Sequence, residues 1–378
     1  MHGTVYALKE EPLAVAEREF SVLRHLEAAG LPAVSAVGLA ADPGRDSAIL
    51  ITAYLAFSIQ YRRLLMRFPT GPGPYRDRLL DAMAWLLVDL HRSGVFWGDC
   101  SLANTLFRRD GDKIQAFLVD AETSEIHPSL SAGQRDYDLD ILVENVAFGL
   151  ADLAALQERP EGIDDAIEAT ETVRTRYAAL WDEISHEPEL SPDDRHAIRA
   201  RIRALNDLGF AVDEIELAPA GGDGAVRLRV AVANRRFHIR QLERLTGLVA
   251  LEGQARLLLN DLHEYRAWIE YHEAREMTEL EGGERWLRDV LEPALASLVP
   301  VIGPLRDPLQ AYCDVLEEKW ILSEMAGGDV GLEAAKDAFI GLGAPAPESV
   351  DEEADSSIVL DIDWATGFDE PLPDARPD

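Results

Sequence analysis

Apolar positions along the first part of the chain switch from a two-residue to a helical period and back. Val5-Tyr6-Ala7-Leu8-Lys9 alternates between Gly3 and Pro12 and predicts a strand. The stretch from Ala14 to Gly30 sets Ala16, Phe20, Leu23 and Leu26 on one helical face and stops at a glycine. The continuous apolar run from Ser47 to Leu55 predicts a buried strand, and the Pro/Gly cluster from Pro69 to Pro74 predicts a loop. Tyr75 to Arg92 is a strongly apolar helix, expected to be buried on most sides. Two strand-like pieces, from Asn104 to Arg109 and from Ala116 to Ala121, flank the hairpin signal Asp110-Gly111. Asp136 to Leu153 reads as a further amphipathic helix.

Residues 161–205 are helical and charged. The period then shortens: 211–217 and 226–232 alternate around Gly221-Gly222-Asp223-Gly224 and predict a second hairpin. Two or more helices are expected from Ile239 to about Gly341. In them Trp268, Tyr271, Trp286 and Trp320 fall at helical spacings and are expected in the core. The last stretch, from Pro345 to Asp378, carries eleven acidic residues and one basic residue and reads as a disordered acidic tail. Within it, Ile358 to Trp364 is apolar enough to dock.

Composition narrows the function classes. A chain of 378 residues, 47% of them hydrophobic, can bury a sizeable core in two domains. No apolar run spans a bilayer and the N-terminus lacks a signal-peptide pattern, so a cytoplasmic protein is expected. Cys100 and Cys313 are too few and too far apart for a disulfide framework or a zinc cluster. With 36 basic and 69 acidic residues, the net charge of −33 repels nucleic acid and anionic membrane on average. Only Lys9, Lys113, Lys319 and Lys336 are lysines, which gives Lys9 some interest. An arginine-rich run between Arg195 and Arg244, with a helix-Gly-helix pattern at its end, offers an anion or nucleic-acid surface as one reading. Pairing of those arginines with neighbouring carboxylates or the acidic tail is the reading preferred here.

The chemistry concentrates in three segments. Trp97-Gly98-Asp99-Cys100-Ser101-Leu102-Ala103-Asn104 has the D-x-x-x-x-N spacing of a kinase catalytic loop. There an Asp takes or orients the proton of an attacking hydroxyl, and an Asn holds a metal ion against the phosphates. Phe117-Leu118-Val119-Asp120 is an apolar strand ending in an Asp that the hairpin returns beside Asn104, giving hard oxygen ligands suited to magnesium. Val5-Tyr6-Ala7-Leu8-Lys9 matches the strand whose Lys contacts nucleotide phosphates. Glu19 on the following helix is the expected partner of Lys9, with Glu17 as the alternate register. Tyr137-Asp138 is the candidate anchor of the catalytic loop, and Cys100 is expected to pack rather than react.

These motifs, in this order, resemble the kinase-like superfamily. The nearest branch is that of lipopolysaccharide kinases and aminoglycoside-phosphotransferase-like proteins. The segments Trp97–Phe107 and Leu118–Thr123 also resemble a bacterial family whose N-terminal half is kinase-like and whose C-terminal half is an uncharacterised domain. The resemblance implies an α+β fold: a bilobal kinase-like domain over residues 1–200, with a partial N-lobe (1–55) and a C-lobe (56–200). A mixed α/β, mainly helical domain would follow over 201–344, then the tail over 345–378. It also implies Asp99 as catalytic base, Asn104 and Asp120 as metal ligands, Lys9 and Glu19 at the nucleotide, and ATP and Mg2+ as cofactors. The sequence departs from the pattern in having Trp97-Gly98 where kinases carry His-Arg, and Ala121-Glu122 after Asp120 in place of Phe-Gly. The eight residues before Lys9 leave no space for a strand pair and Gly-rich loop, so a truncated start or an absent lid is expected.

The expected function is therefore ATP- and Mg-dependent phosphotransfer to a hydroxyl on a small molecule, a sugar or a protein. A pseudokinase scaffold, with a protein partner on its C-terminal domain or tail, is the alternative. An anion- or nucleic-acid-binding protein using the arginines is the third reading, with nucleic acid disfavoured by charge.

Overall fold

The computed structural model describes residues 5–41, 44–67, 73–158, 162–191, 194–219, 226–232 and 234–345. The acidic tail with its Ile358–Trp364 segment, most of the Pro69–Pro74 loop and the Gly221–Gly224 turn lie outside the described residues. Residues through Pro345 form one compact unit of mixed helix and strand.

The chain opens with strand β1 (Tyr6–Pro12), helix α1 (Leu13–Ala28), β2 (Ala36–Ala41) and β3 (Ser47–Ala53). β1 and β2 flank β3 in an antiparallel sheet of order β1-β3-β2, with Lys9 opposite Leu50. On α1 the buried face is Ala16, Glu19, Val22, Leu23 and Leu26. The expected stripe is therefore present with a carboxylate set into it, while Glu17 is exposed. Gly30, at φ +66, ends the turn after α1, where a side chain would be strained.

Short β4 (Ile59–Gln60) and α2 (Tyr61–Arg67) lead to α3 (Pro74–Arg92), the central helix of the first core. Leu79, Leu80, Met83, Leu86, Leu87 and Leu90 are all buried along it. β5 (Val95–Phe96) then enters the loop that carries Asp99. β6 (Thr105–Asp110) and β7 (Lys113–Leu118) form the expected hairpin, with Thr105 opposite Leu118 and Gly111 at φ +64 in its turn. β8 (Glu125–Ile126) pairs with β5, α4 (Ala132–Leu156) packs along α5 (Gly162–Ser185), and α5 packs against α3.

β9 (Glu189–Leu190), α6 (Arg195–Asp207), β10 (Val212–Pro219) and β11 (Val226–Val232) follow, and β10 and β11 pair antiparallel as expected. Six helices finish the described chain: α7 (Phe237–Thr246), α8 (Glu252–Glu273), α9 (Glu279–Trp286), α10 (Glu292–Ile302), α11 (Pro308–Ala326) and α12 (Leu332–Gly341). A π-helical turn, Leu287–Leu291, joins α9 to α10. These helices enclose a second core around Leu258, Leu262, Trp286 and Tyr312. Trp286 fills it and donates to Asp261 at 2.7 Å. Trp268, Tyr271 and Trp320 were expected there as well, but all three are exposed. Trp268 and Tyr271 lie one turn apart on the face of α8 opposite the buried Leu258 and Leu262, so helical spacing alone did not reveal which face turns inward.

The first core meets the helical region at the β6–β7 hairpin tip. The Asp110 carboxylate accepts from Gln254 N at 2.8 Å, at the start of α8. Gln310 of α11 exchanges two hydrogen bonds with the Gly111 backbone, both 2.9 Å. Arg108 pairs with Asp307 at 3.1 Å, Arg109 with Asp314 at 2.7 Å, and Arg256 with Asp112 at 2.8 Å. A Cβ on Gly253 would stand 2.3 Å from the Asp110 carbonyl oxygen, so the hairpin and helix touch backbone to backbone. No helix among the described residues is long and apolar enough to cross a membrane.

Candidate functional site

Three distant segments converge on Lys9. Its ammonium donates to Glu19 Oε2 at 3.0 Å and to Asp120 Oδ2 at 3.1 Å. Glu11 is in direct contact with it, and Glu122 lies at 3.6 Å. β1 supplies Lys9 and Glu11 from the same side of the strand, as the two-residue period dictates. α1 supplies Glu19, and the chain just after β7 supplies Asp120 and Glu122. Glu19 also accepts from the Ala121 N–H at 3.1 Å, which ties α1 to the segment after Asp120.

One ammonium thus serves four carboxylates, and the titration of the group follows. Burial alone would lower Lys9, but the contact with the Glu11 carboxylate and the charges of Glu19 and Asp120 outweigh it and hold the amine above its ordinary value. The carboxylates are short of positive charge. Burial pushes Glu19 up to about 7, with Asp120 adding to it against the pull of Lys9 and the Ala121 N–H. Glu11 is buried too, and neither of its carboxylate oxygens has a hydrogen bond of good geometry.

Asp99 and Asn104 form a second pair. Asn104 Nδ2 donates to Asp99 Oδ2 at 2.9 Å and to the Asp99 carbonyl at 3.2 Å. The hairpin brings Asn104 and Asp120 side by side: Val119 N donates to the Asn104 carbonyl at 3.1 Å. Glu17, the alternate partner for Lys9, does not join the cluster.

Asp138 holds the loop that bears Asp99. Fully buried on α4, it accepts from Trp97 N at 2.7 Å, Gly98 N at 2.8 Å and Cys100 Sγ at 3.3 Å. His91 donates to it from Nε2 at 3.1 Å, while its Nδ1 accepts from the Tyr177 hydroxyl at 2.7 Å. Burial lowers His91 against the opposing effect of Asp138, so the ring is neutral and this tautomer satisfies both bonds. Gly98 sits at φ +84 with the Thr123 carbonyl 2.8 Å from where a Cβ would be, so no larger residue fits this turn. Thr123 and Ser124 both donate to the Trp97 carbonyl, and Asn145 donates to the Cys100 carbonyl at 2.8 Å. Cys100 is buried and burial raises its thiol far above the ordinary range, which suits packing and not nucleophilic attack.

Glu11, Glu122, His91, Asn145 and Thr123 were not singled out from sequence. Glu11 was within reach of the two-residue period. The others depend on contacts across tens of residues.

Four of the ten arginines of the arginine-rich stretch pair with acids. Arg201 pairs with Glu183, Arg227 with Glu189 at 3.3 Å, Arg235 with Asp89 at 3.5 Å and Arg244 with Glu279 at 3.2 Å. The helix-Gly-helix pattern is present as α7, Gly247 and α8, but the first turn of α8 is buried against the hairpin tip. The turn that would enter a DNA groove is therefore covered.

Two family models match parts of the chain. Residues 5–159 match the Lipopolysaccharide kinase (Kdo/WaaP) family, and residues 179–342 match a domain of unknown function, DUF4032. The chain is 26% identical to the lipopolysaccharide core heptose(I) kinase WaaP of Pseudomonas aeruginosa, over 34% of this chain and 51% of that protein. It thus spans about half the length of the curated relative it matches. A solved structure, WaaP in complex with acyl carrier protein, aligns over 48% of this chain and 82% of that one, at 22% identity and a TM-score of 0.33.

Proposed function

We propose that this chain, whose N-terminal part is similar to lipopolysaccharide kinases, is an ATP- and Mg-dependent phosphotransferase acting on a hydroxyl of a small molecule, a sugar or a protein. The observation that carries the reading is Lys9 bonded at once to Glu19 and Asp120, residues 10 and 111 positions away. In this reading residues 1 to about 200 are the kinase-like domain with an abbreviated N-lobe, and 201–344 are a second domain available to a protein partner. A cytoplasmic location is part of the same reading.

The donor set fits the cofactors. Asp99, Asn104 and Asp120 offer hard oxygens, and the Lys9 cluster carries more negative than positive charge, which favours a divalent cation. Mg-ATP would supply the phosphoryl group and neutralise its charge. Within the protein, Asp99 accepts the proton of the acceptor hydroxyl, with Asn104 Nδ2 orienting its carboxylate. Asn104 and Asp120 are the metal ligands. Glu19 holds Lys9 so that its ammonium faces phosphate, and Asp138 keeps the Asp99 loop in one conformation.

A second reading, a nucleotide-binding scaffold without turnover, draws support from the engagement of Lys9 by four carboxylates. Thermal unfolding with and without Mg-ATP separates the outcomes, on the native chain and on Asp120→Ala. Saturating ligand stabilises a native-state site by ~2.7 kcal/mol at one hundred times its dissociation constant. We expect a shift in the native chain that is lost in the variant. ATP consumption alongside it marks the enzyme, and a shift without consumption marks the scaffold. No shift in the folded native chain sinks both.

A further inference from the structure

Three large aromatic side chains of the helical region stand in solvent. Trp268 and Tyr271 of α8 are 56% and 83% exposed, and Trp320 of α11 is 61% exposed. Trp286 of the same region shows the alternative, fully buried with its indole N–H bonded to Asp261. Single exposed apolar residues are ordinary on a protein surface, but grouped aromatic rings mark places where proteins meet.

Two cross-helix contacts group these rings along one seam. The Tyr312 hydroxyl donates to Asp261 at 2.7 Å, and Lys319 lies 3.8 Å from Glu264, so α8 and α11 run side by side in the same direction. Glu264 and Trp268 continue the stripe of Asp261 at i+3 and i+7, on the side of α8 that reaches α11. Tyr271 stands less than a turn further, and Trp320 directly follows Lys319 on α11.

The surround of the rings is acidic. Lys319 is the only lysine or arginine of α11, and it is shared between Glu264 and Asp329, each at 3.8 Å and each largely exposed. Among the described residues, Glu318 and Glu324 of the same helix have no ion pair. Charge therefore decides what covers this surface. A second copy of the chain would bring the same acids and a net charge of −33, and nucleic acid or anionic lipid is repelled in the same way. Lysines and arginines set between apolar residues satisfy both the rings and the carboxylates, and an amphipathic helix presents the two together.

We propose that this end of the α8–α11 seam docks a basic amphipathic helical segment of another protein. Its apolar stripe lies on Trp268, Tyr271 and Trp320, and its cations face Glu264, Glu318, Glu324 and Asp329. The proposal specifies the chemistry of the protein partner suggested above for residues 201–344, and it needs no nucleotide at the Lys9 cluster. The two helices are also those whose first turns clamp the β6–β7 hairpin through Gln254 and Gln310.

The test is calorimetric titration of the full chain, without nucleotide, using a synthetic leucine–lysine peptide whose leucines recur at helical spacing. A peptide of the same composition, scrambled so that its leucines spread round the helix, is the comparator. One striped peptide binds per chain, saturably, and the scrambled one binds about tenfold more weakly or not at all. Trp268→Ser and Trp320→Ser each weaken binding by about tenfold, as loss of an aromatic anchor does. The double charge reversal Glu318→Lys with Glu324→Lys weakens it as well. Phe148→Ser, which removes a comparably exposed ring from α4, binds like the native chain. The tryptophans are exposed, so their variants fold, and an unchanged urea midpoint verifies that. The proposal is overturned if the striped peptide does not bind saturably, if the scrambled one matches it, if both tryptophan variants bind like the native chain, or if Phe148→Ser weakens binding as much as they do. A native dimer that Trp320→Ser turns into a monomer in sedimentation overturns it in favour of a second copy.

Discussion

At the scale of single residues, Glu19 carries the charge shortage around Lys9. Its folded pKa is about 7 against an ordinary value of 4.5. Between those values the folded protein binds more protons than the unfolded chain, so stability falls as pH rises through this window and levels off above it. The contribution is at most on the order of 3 kcal/mol. Urea unfolding from pH 4.5 to 7.5 should show this decline, and Glu19→Gln should flatten it. An equal decline in the variant would assign the effect elsewhere. Lys9, Glu19 and Asp120 were legible as a set because their order along the chain follows a known chemical pattern. Glu122 was not, since nothing local says that the chain after Asp120 folds back towards β1. Asp138 was legible only as a weak candidate. Its four donors come from segments some forty positions away, and sequence has no local mark for such a contact.

At the scale of elements, the β6–β7 hairpin matters most, because Asn104 and Asp120 flank its two ends. Its turn was readable from Asp110-Gly111. Its clamping by Gln254 and Gln310 was not, since those residues lie 144 and 199 positions away. Gly253→Ala pushes a methyl into the Asp110 carbonyl and should cost about 1–3 kcal/mol by overpacking, read as a lower urea midpoint. If the nucleotide reading holds, the same variant should weaken the Mg-ATP shift although it touches no proposed ligand. A variant as stable as the native chain would mean that helix and hairpin separate freely. The exposed Trp268, Tyr271 and Trp320 teach a complementary lesson. Periodicity identifies a helix, but only packing decides which of two plausible stripes faces the core.

At the scale of the whole molecule, a net charge of −33 sets a repulsive background that local arginine pairs relieve only in part. Raising sodium chloride from ~0.01 M to ~0.15 M shortens the screening length from ~30 Å to ~8 Å and should raise the melting temperature. A fall would mean that exposed ion pairs such as Arg285–Glu273 outweigh the repulsion. The mixed helix and strand content, and the change to helices alone after the second hairpin, were legible from changes of period. That the first core and the helical region are joined through a hairpin tip was not. That joint bears on how such a protein can be cut and recombined. A chain ended after Asp207 would leave the Asp110 carboxylate and the Gly111 backbone stripped of Gln254 and Gln310. The catalytic-looking half is therefore not a cassette. A fusion, a truncation or an evolutionary exchange that moves it must bring α8 and α11 along or redesign the hairpin turn.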